Sequence, residues 1–323
     1  MSIASVNLAR YMIEKHSLEL PINVKSLVEA RAELLFAPIP MEGIDGVSIN
    51  LKVQGKRTRV IVNSNNSPMR QRFTLAHELG HIVIPWHTGS FVDHLDAGQP
   101  NETDDYWEYE IEANAFAGEL LVPTEWLRER LSKRNDLARV NKLIAKKCEV
   151  SLHAASIRLS QILPKNFVYA VERHDIVEFA GRSEGTFANM LEWGSDFDSD
   201  AYDYYEEHFS SSIGDRNIHW WKLPDSFSVS ESDVRSWREI LTYILSDLGV
   251  GSDEMPRTKQ SINGVFAYAN DLAKRSGDYS QGSVAAACIQ RFKDRAELKP
   301  FAQHPDFETF IVRRARDLVE SRR

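Results

Sequence analysis

The sequence has only two cysteines, Cys148 and Cys288, in 323 residues. That is too few for a disulfide framework and fits a reducing compartment. No apolar run reaches the length of about 18 residues that a membrane-spanning helix needs. The opening stretch, MSIASVNLARYMIEKHSLEL, lacks the basic segment followed by an apolar one that marks a secretory leader. Positive charge is in deficit: 39 Lys and Arg face 47 Asp and Glu, for a formal net charge of −8. Tight, non-specific binding to a phosphate backbone is therefore not expected. Neither internal repeats nor low-complexity tracts occur. Together these absences lead to the expectation of a cytoplasmic protein with no membrane association. What is present, 42% hydrophobic and 27% charged residues, is ordinary globular composition. The length suffices for two or three domains.

The apolar spacing predicts helices over 3–16 and 23–31, the second with Asn23 as N-cap. Residues 46–53 and 57–63 alternate like strands joined by a turn at Gln54-Gly55-Lys56. Ser67-Pro68 starts a helix that Pro85 must end, because the residue before proline is pushed out of the helical region. Residues 88–105 read as a polar, acidic loop, and a helix follows from about Tyr106 to Leu121. Three short helices are expected in 124–163. Beyond Pro164 the segments 167–173 and 175–181 alternate like a hairpin, 217–224 reads as a further strand, and 183–216 is acidic and aromatic. Helices are expected near 231–248, 259–275, 280–293 and 305–321.

Chemistry concentrates in His77-Glu78-Leu79-Gly80-His81. On a helix, positions i and i+4 share one face, so His77 and His81 can aim two imidazoles at one metal ion. Glu78 lies about 100° further round, where it can act as general base on a water beside that ion. This H-E-x-x-H spacing suits zinc, which would polarise a scissile carbonyl and lower the pKa of a water to roughly 7. Leu75, Leu79, Ile82 and Val83 would form the core-facing stripe.

A catalytic zinc needs a third protein ligand. His87 stands six residues after His81, where some H-E-x-x-H enzymes place a third histidine. That arrangement needs a turn glycine three residues after His81, and this sequence has Ile84 there, followed by Pro85. The alternatives lie on the next helix, where Glu108, Glu110 and Glu112 compete. Glu110 and Asn114 share a face, so Glu110 can ligate while Asn114 orients a histidine ligand.

The blocks R-F-T-L-A-H-E-L-G-H (Arg72 to His81) and E-x-E-A-N-x-F-A-x-x-L-L-x-P (Glu110 to Pro123), preceded by the strand RVIVN (59–63), resemble the ImmA/IrrE family of metallo-endopeptidases. The resemblance covers roughly residues 5–160. It implies a zincin fold with His77, His81 and Glu110 as ligands to Zn2+ (Mn2+ being possible) and Glu78 as catalytic base. His87, like His94, Tyr106 and Tyr109, would then line the substrate cleft or stabilise an oxyanion. The family is also known for narrow specificity: cytoplasmic peptidases that inactivate helix-turn-helix repressors and so switch on stress responses or mobile elements. The resemblance implies such a role in transcription regulation here.

The expected architecture is α+β. A zincin-like domain with a small mixed sheet would occupy 1–123, a helix-turn-helix-like bundle 124–163, and a largely α-helical sensor or partner-docking domain 164–323. Within 143–159, Ala145, Val150 and Ser151 fit a helix-turn-helix pattern, but Glu149 stands where glycine is usual. Only His153 and Arg158 could read bases, so direct DNA binding is not expected. DFDSDAYDYYEE (196–207) has the acidic spacing of a calcium loop, with Ala201 in place of its glycine and Asp203 in place of an apolar residue. A solvated acidic loop is the expectation. Trp220, Trp221 and Trp237 are expected in cores or at domain interfaces, and RRARDLVESRR (313–323) as the charged face of a last helix. A second class of function fits the same residues: a non-cleaving regulator or antitoxin-like module that uses the peptidase fold to hold a partner protein.

Overall fold

The computed structural model describes residues 3–41, 43–94, 104–186, 188, 190–202, 205–224, 233–275, 279–293 and 295–320. The chain divides into two compact units, Met1–Ile162 and Leu163–Arg323. The first runs α1 (Ile3–Lys15), α2 (Val24–Glu29), β1 (Glu33–Ala37), β2 (Ile44–Leu51), β3 (Arg59–Asn63), α3 (Pro68–Val83), β4 (Gly89–His94), α4 (Asp104–Leu121), α5 (Thr124–Ser132), α6 (Leu137–Cys148) and α7 (Leu152–Ile162). Its four strands form one sheet in the order β1-β3-β2-β4, with β1 parallel to β3 and the other pairs antiparallel.

Local chemistry explains the pieces that position the site. The Ser67 side chain accepts from Arg70 N, Pro68 opens α3, and Ile84, extended at φ −70° and ψ 117°, closes it as Pro85 requires. Between β2 and β3 the chain turns through Gly55 at φ +76°, a conformation open to glycine at little cost. α3 is surrounded on all sides: Thr74 through His81 are all buried. Of its expected stripe, Leu75 and Leu79 are buried while Ile82 and Val83 are half-buried; Ile84 joins the core instead. Gly80 lets α3 and α4 approach, since a Cβ there would lie 3.2 Å from Ala113 Cα and from a Phe116 ring carbon. Glu110 reaches the histidines through that contact. Residues 89–94, expected in a loop, form β4, because β2 offers them a free edge. β1 also went unread in the sequence; its short ELLFA run lacks alternation.

α6 ends on Glu149, which takes left-handed backbone (φ 53°, ψ 51°), the conformation glycine supplies at a helix C-terminus. Its exposed carboxylate is 3.9 Å from the half-buried Arg72, a long and weak pair. Glu149→Gly is expected to raise stability, by up to about 1 kcal/mol; chemical denaturation of the two proteins measures it.

The second unit begins with β5 (Phe167–Arg173), β6 (Ile176–Arg182), β7 (Glu207–Ile213) and β8 (Arg216–Lys222), an antiparallel sheet in the order β6-β5-β8-β7. The expected β5–β6 hairpin is present. β7 was read as part of the acidic stretch because EHFSSSI is polar. Glu207, the last residue of the calcium-loop pattern, opens β7 with its carboxylate 3.5 Å from Lys222 Nζ, and no helix pair flanks the loop among the described residues; Asp203 lies outside them. The unit continues with α8 (Trp237–Asp247), α9 (Met255–Arg275), α10 (Gln281–Lys293), a 3-10 turn (Ala296–Leu298), α11 (Lys299–Ala302) and α12 (Phe307–Glu320). These pack around Phe266, Phe292, Phe301, Phe307 and Phe310. Trp220 and Trp221 are fully buried, and Trp237 is clasped between Arg238 and Arg314, at 4.3 and 3.9 Å from its ring. Arg314 and Arg316 of the basic end pair with Asp317 and Glu320 on α12. Among the described residues no helix is long and apolar enough to cross a membrane.

Candidate metal centre

α3 and α4 bring His77, His81 and Glu110 together, with one ligand atom of each within 4.8 Å of the others. All three are buried, at 0%, 1% and 5% exposure. Glu110 Oε2 lies 3.1 Å from His77 Nε2, and Oε1 lies 3.4 Å from His81 Nε2. The two Nε2 atoms are 3.0 Å apart.

The outer partners decide what these atoms present to one another. His77 Nδ1 is 3.0 Å from Asn114 Oδ1, which can only accept, so Nδ1 carries the proton and Nε2 a lone pair. His81 is set by a longer relay. Glu112 Oε2 lies 3.0 Å from His87 Nε2, and His87 Nδ1 lies 2.9 Å from His81 Nδ1. The carboxylate can only accept, so neutral His87 donates from Nε2 and accepts at Nδ1, which leaves the His81 proton on Nδ1 and a lone pair on Nε2. Burial keeps the ring neutral: it pushes the His81 pKa down to about 4, against the opposing pull of Glu110. His87 is lowered as well, again chiefly by burial.

Two lone pairs and a carboxylate therefore converge. Glu110 Oε1 has no hydrogen-bond donor among the described residues. Such a set repels itself unless a cation sits within it, and two imidazoles with one carboxylate suit zinc. The residues present thus fit a metal ion.

Of the competing glutamates, Glu108 is exposed, and Glu112 binds Trp86 Nε1 at 2.6 Å as well as His87. His87 is fully buried behind His81, where it orients that ring and lines no open cleft. Tyr109 packs on His87 with ring centres 4.8 Å apart, and Tyr106 on Phe91 at 6.0 Å; the His94 side chain lies outside the described residues.

Four contributors, Ser48, Gly46, Lys52 and Phe91, are not legible as such in the sequence. Glu78, 1% exposed, accepts a short hydrogen bond from Ser48 Oγ of β2. Gly46 on the same strand leaves the carboxylate room, since a Cβ there would lie 2.5 Å from Glu78 Oε1. Lys52 Nζ donates to the carbonyls of His81 and His87, at 2.9 and 2.6 Å, and so ties down the end of α3; burial pushes its pKa down to about 8. Phe91 of β4 stacks on His81 with centres 4.5 Å apart. Only tertiary contact marks these residues; no motif does.

Two outcomes follow. Glu112→Gln is expected to weaken zinc binding by roughly 10- to 100-fold, because the relay that orients His81 loses its anionic end; competition with a chelating dye measures it. The metal-free chain should lose stability on acidification. His81 is protonated near 6.5 when unfolded but only near 4 when folded. The unfolded chain therefore takes up the proton first, and stability drops by roughly 3 kcal/mol as pH falls from 6.5 to 4. Denaturation of chelator-treated protein across that range shows it.

Residues 30–160 match the family profile Peptidase_M78, described as the IrrE N-terminal-like domain. The radiation response metalloprotease IrrE of Deinococcus radiodurans is 30% identical over 139 residues, which cover 41% of this chain and 42% of that protein. Its Deinococcus deserti namesake is 27% identical over 139 residues, covering 41% of this chain and 49% of that protein. The chain thus spans less than half the length of these relatives. A solved Mycobacterium tuberculosis transcriptional regulator aligns with 71% of this chain and 93% of its own, at 14% identity and a TM-score of 0.37, too low to carry an argument.

Proposed function

Residues 30–160 belong to the IrrE N-terminal-like family of metallopeptidases, and from that premise we propose that the chain is a zinc-dependent, site-specific endopeptidase whose substrate is a regulatory protein, a helix-turn-helix repressor. The observation that carries this reading is the convergence of three electron-pair donors, His77, His81 and Glu110, next to the buried carboxylate of Glu78.

In this reading His77 Nε2, His81 Nε2 and Glu110 hold the ion, with Asn114 and the His87–Glu112 relay fixing both imidazoles. When bound, zinc, or manganese in the same donor set, supplies Lewis-acid polarisation of the scissile carbonyl and the attacking water. Glu78 accepts the water's proton as the oxygen adds to the carbonyl carbon, then delivers it to the amine nitrogen as the C–N bond breaks. Ser48 and the open face of Gly46 hold that carboxylate against β2 while it does so. A purely holding role would need neither the matched tautomers nor Glu78, and no observation favours it. Residues 163–323 serve as a sensor or docking unit, and the action is cytoplasmic, where Cys148 and Cys288 remain thiols; both are buried, and burial raises both pKa values.

Incubating purified helix-turn-helix repressors with the zinc-loaded chain, and reading products by mass spectrometry, tests the proposal. One cut in one repressor is expected. Cleavage of unrelated peptides at many sites, with every repressor intact, would make the chain a general oligopeptidase.

A further inference from the structure

Beside the candidate metal centre, the first unit holds a cavity of about 320 Å3 walled by α3, α4 and α7. We infer that this cavity is the subsite that receives a large apolar side chain of the substrate, of leucine, methionine or phenylalanine type, next to the scissile bond. The inference rests on the peptidase reading for its substrate and on the cavity itself for its chemistry.

Position is the first argument. Asn114, which holds His77 Nδ1, lines the cavity, and so does Phe73, one turn before His77 on α3, with its ring centre 6.4 Å from the imidazole. The cavity is therefore one side chain away from a metal-ligating ring. Composition is the second. The walls Phe73, Ile111, Ala115, Leu121, Ala154 and Ile157 are apolar; of the polar lining groups, Arg158 Nε is buried with no hydrogen-bond partner among the described residues, and the others are engaged. Asn114 is bound to His77. The guanidinium of Arg158 is turned to Glu119, Val122 O and Thr124, and also takes up Gln161 Oε1 at 2.8 Å. Shape is the third. Ala115, Gly118 and Ala154 are small where larger residues would close the space; at Gly118 an added Cβ would lie 3.3 Å from Arg158 Cδ. At the rim, Ile111 and Ile157 stay 53% and 38% exposed, large aliphatic groups left in water beside an apolar opening. A pocket of this size and lining, one side chain removed from a metal-ligating ring, selects a side chain by burying it.

This reading also gives α7 a task. The segment expected to resemble a DNA-reading helix turns its one strong cation, Arg158, inward and uses Ala154 and Ile157 as a wall for the substrate.

The test titrates the zinc-loaded full chain with two peptide hydroxamates that differ only in carrying an isobutyl or a methyl side chain, and follows the isoleucine methyl resonances by NMR. The isobutyl compound is expected to bind at least about tenfold more tightly and to shift Ile111 and Ile157, whereas the methyl compound leaves both in place. Ala154→Phe, which fills the cavity, should erase the preference while keeping the affinity for the methyl compound. Ile157→Ala, an exposed rim change that leaves the fold alone, should reduce the preference several-fold. Equal affinities in the parent protein, or a preference that survives Ala154→Phe, would overturn the subsite. The peptidase reading fails by a different sign, zinc that the hydroxamate group does not engage. The isobutyl-dependent shifts of Ile111 and Ile157 then still decide the cavity, standing if they appear and falling if they do not.

Discussion

Glu78→Gln should abolish cleavage while leaving zinc in place. The expected fall in kcat is roughly 10²- to 10⁴-fold, the usual contribution of a general base. Glutamine has the shape of glutamate, its carbonyl can still accept from Ser48 Oγ, and the space that Gly46 leaves is filled equally well. What it lacks is an oxygen able to take a proton at neutral pH. Glu78 is also absent from the three-donor cluster, so zinc stoichiometry should match that of the parent protein. Cleavage assayed beside metal content separates the roles: lost zinc would make Glu78 a ligand, and undiminished turnover would remove it from the mechanism.

Arg158→Met should be the most destabilising of the substitutions considered, by about 3–5 kcal/mol, because it removes one partner of a buried ion pair. Arg158 is 8% exposed and Glu119 1%. Glu119 accepts from Arg158 at 2.9 Å, from Arg10 at 2.9 Å, and from both the backbone and the hydroxyl of Thr124. Burial opposes its ionisation, but these bonds outweigh it and lower its pKa. One carboxylate thus ties α1, α4, α5 and α7 together. Methionine keeps the apolar stem and leaves Glu119 buried with a single, half-exposed cation. The melting transition that reports the first unit should fall on the order of 10 °C. An unchanged transition would mean that α7 is dispensable to the unit and free for other work.

The sequence and the structure part company at instructive places. The pair His77 and His81 could be placed from spacing alone, because a helix fixes which residues share a face, and Ser67-Pro68 and Pro85 fix where that helix starts and stops. Glu110 came from its four-residue step to Asn114 and from a resemblance, since Glu108, Glu110 and Glu112 are alike as local sequence; exposure and the His87 contact are what distinguish them. The role of His87 was not legible. It depends on β4 and Phe91 closing over α3, and β4 forms because β2 has an edge to pair with. Arg158 is legible as a cation but its partner is not: a helix period gives a face, whereas the buried carboxylate opposite it stands 39 positions earlier in the chain. The second unit resisted for a related reason. The polar β7 becomes a strand by pairing with β8, whose Trp220 and Trp221 supply the core.

The measurement that bears most directly on the account is X-ray absorption at the zinc edge of the loaded protein. Two imidazoles, from His77 and His81, are expected in the shell, completed by oxygen ligands that include Glu110. A third imidazole in the shell would put His87 on the metal, dissolve the Glu112–His87–His81 relay, and contradict this assignment.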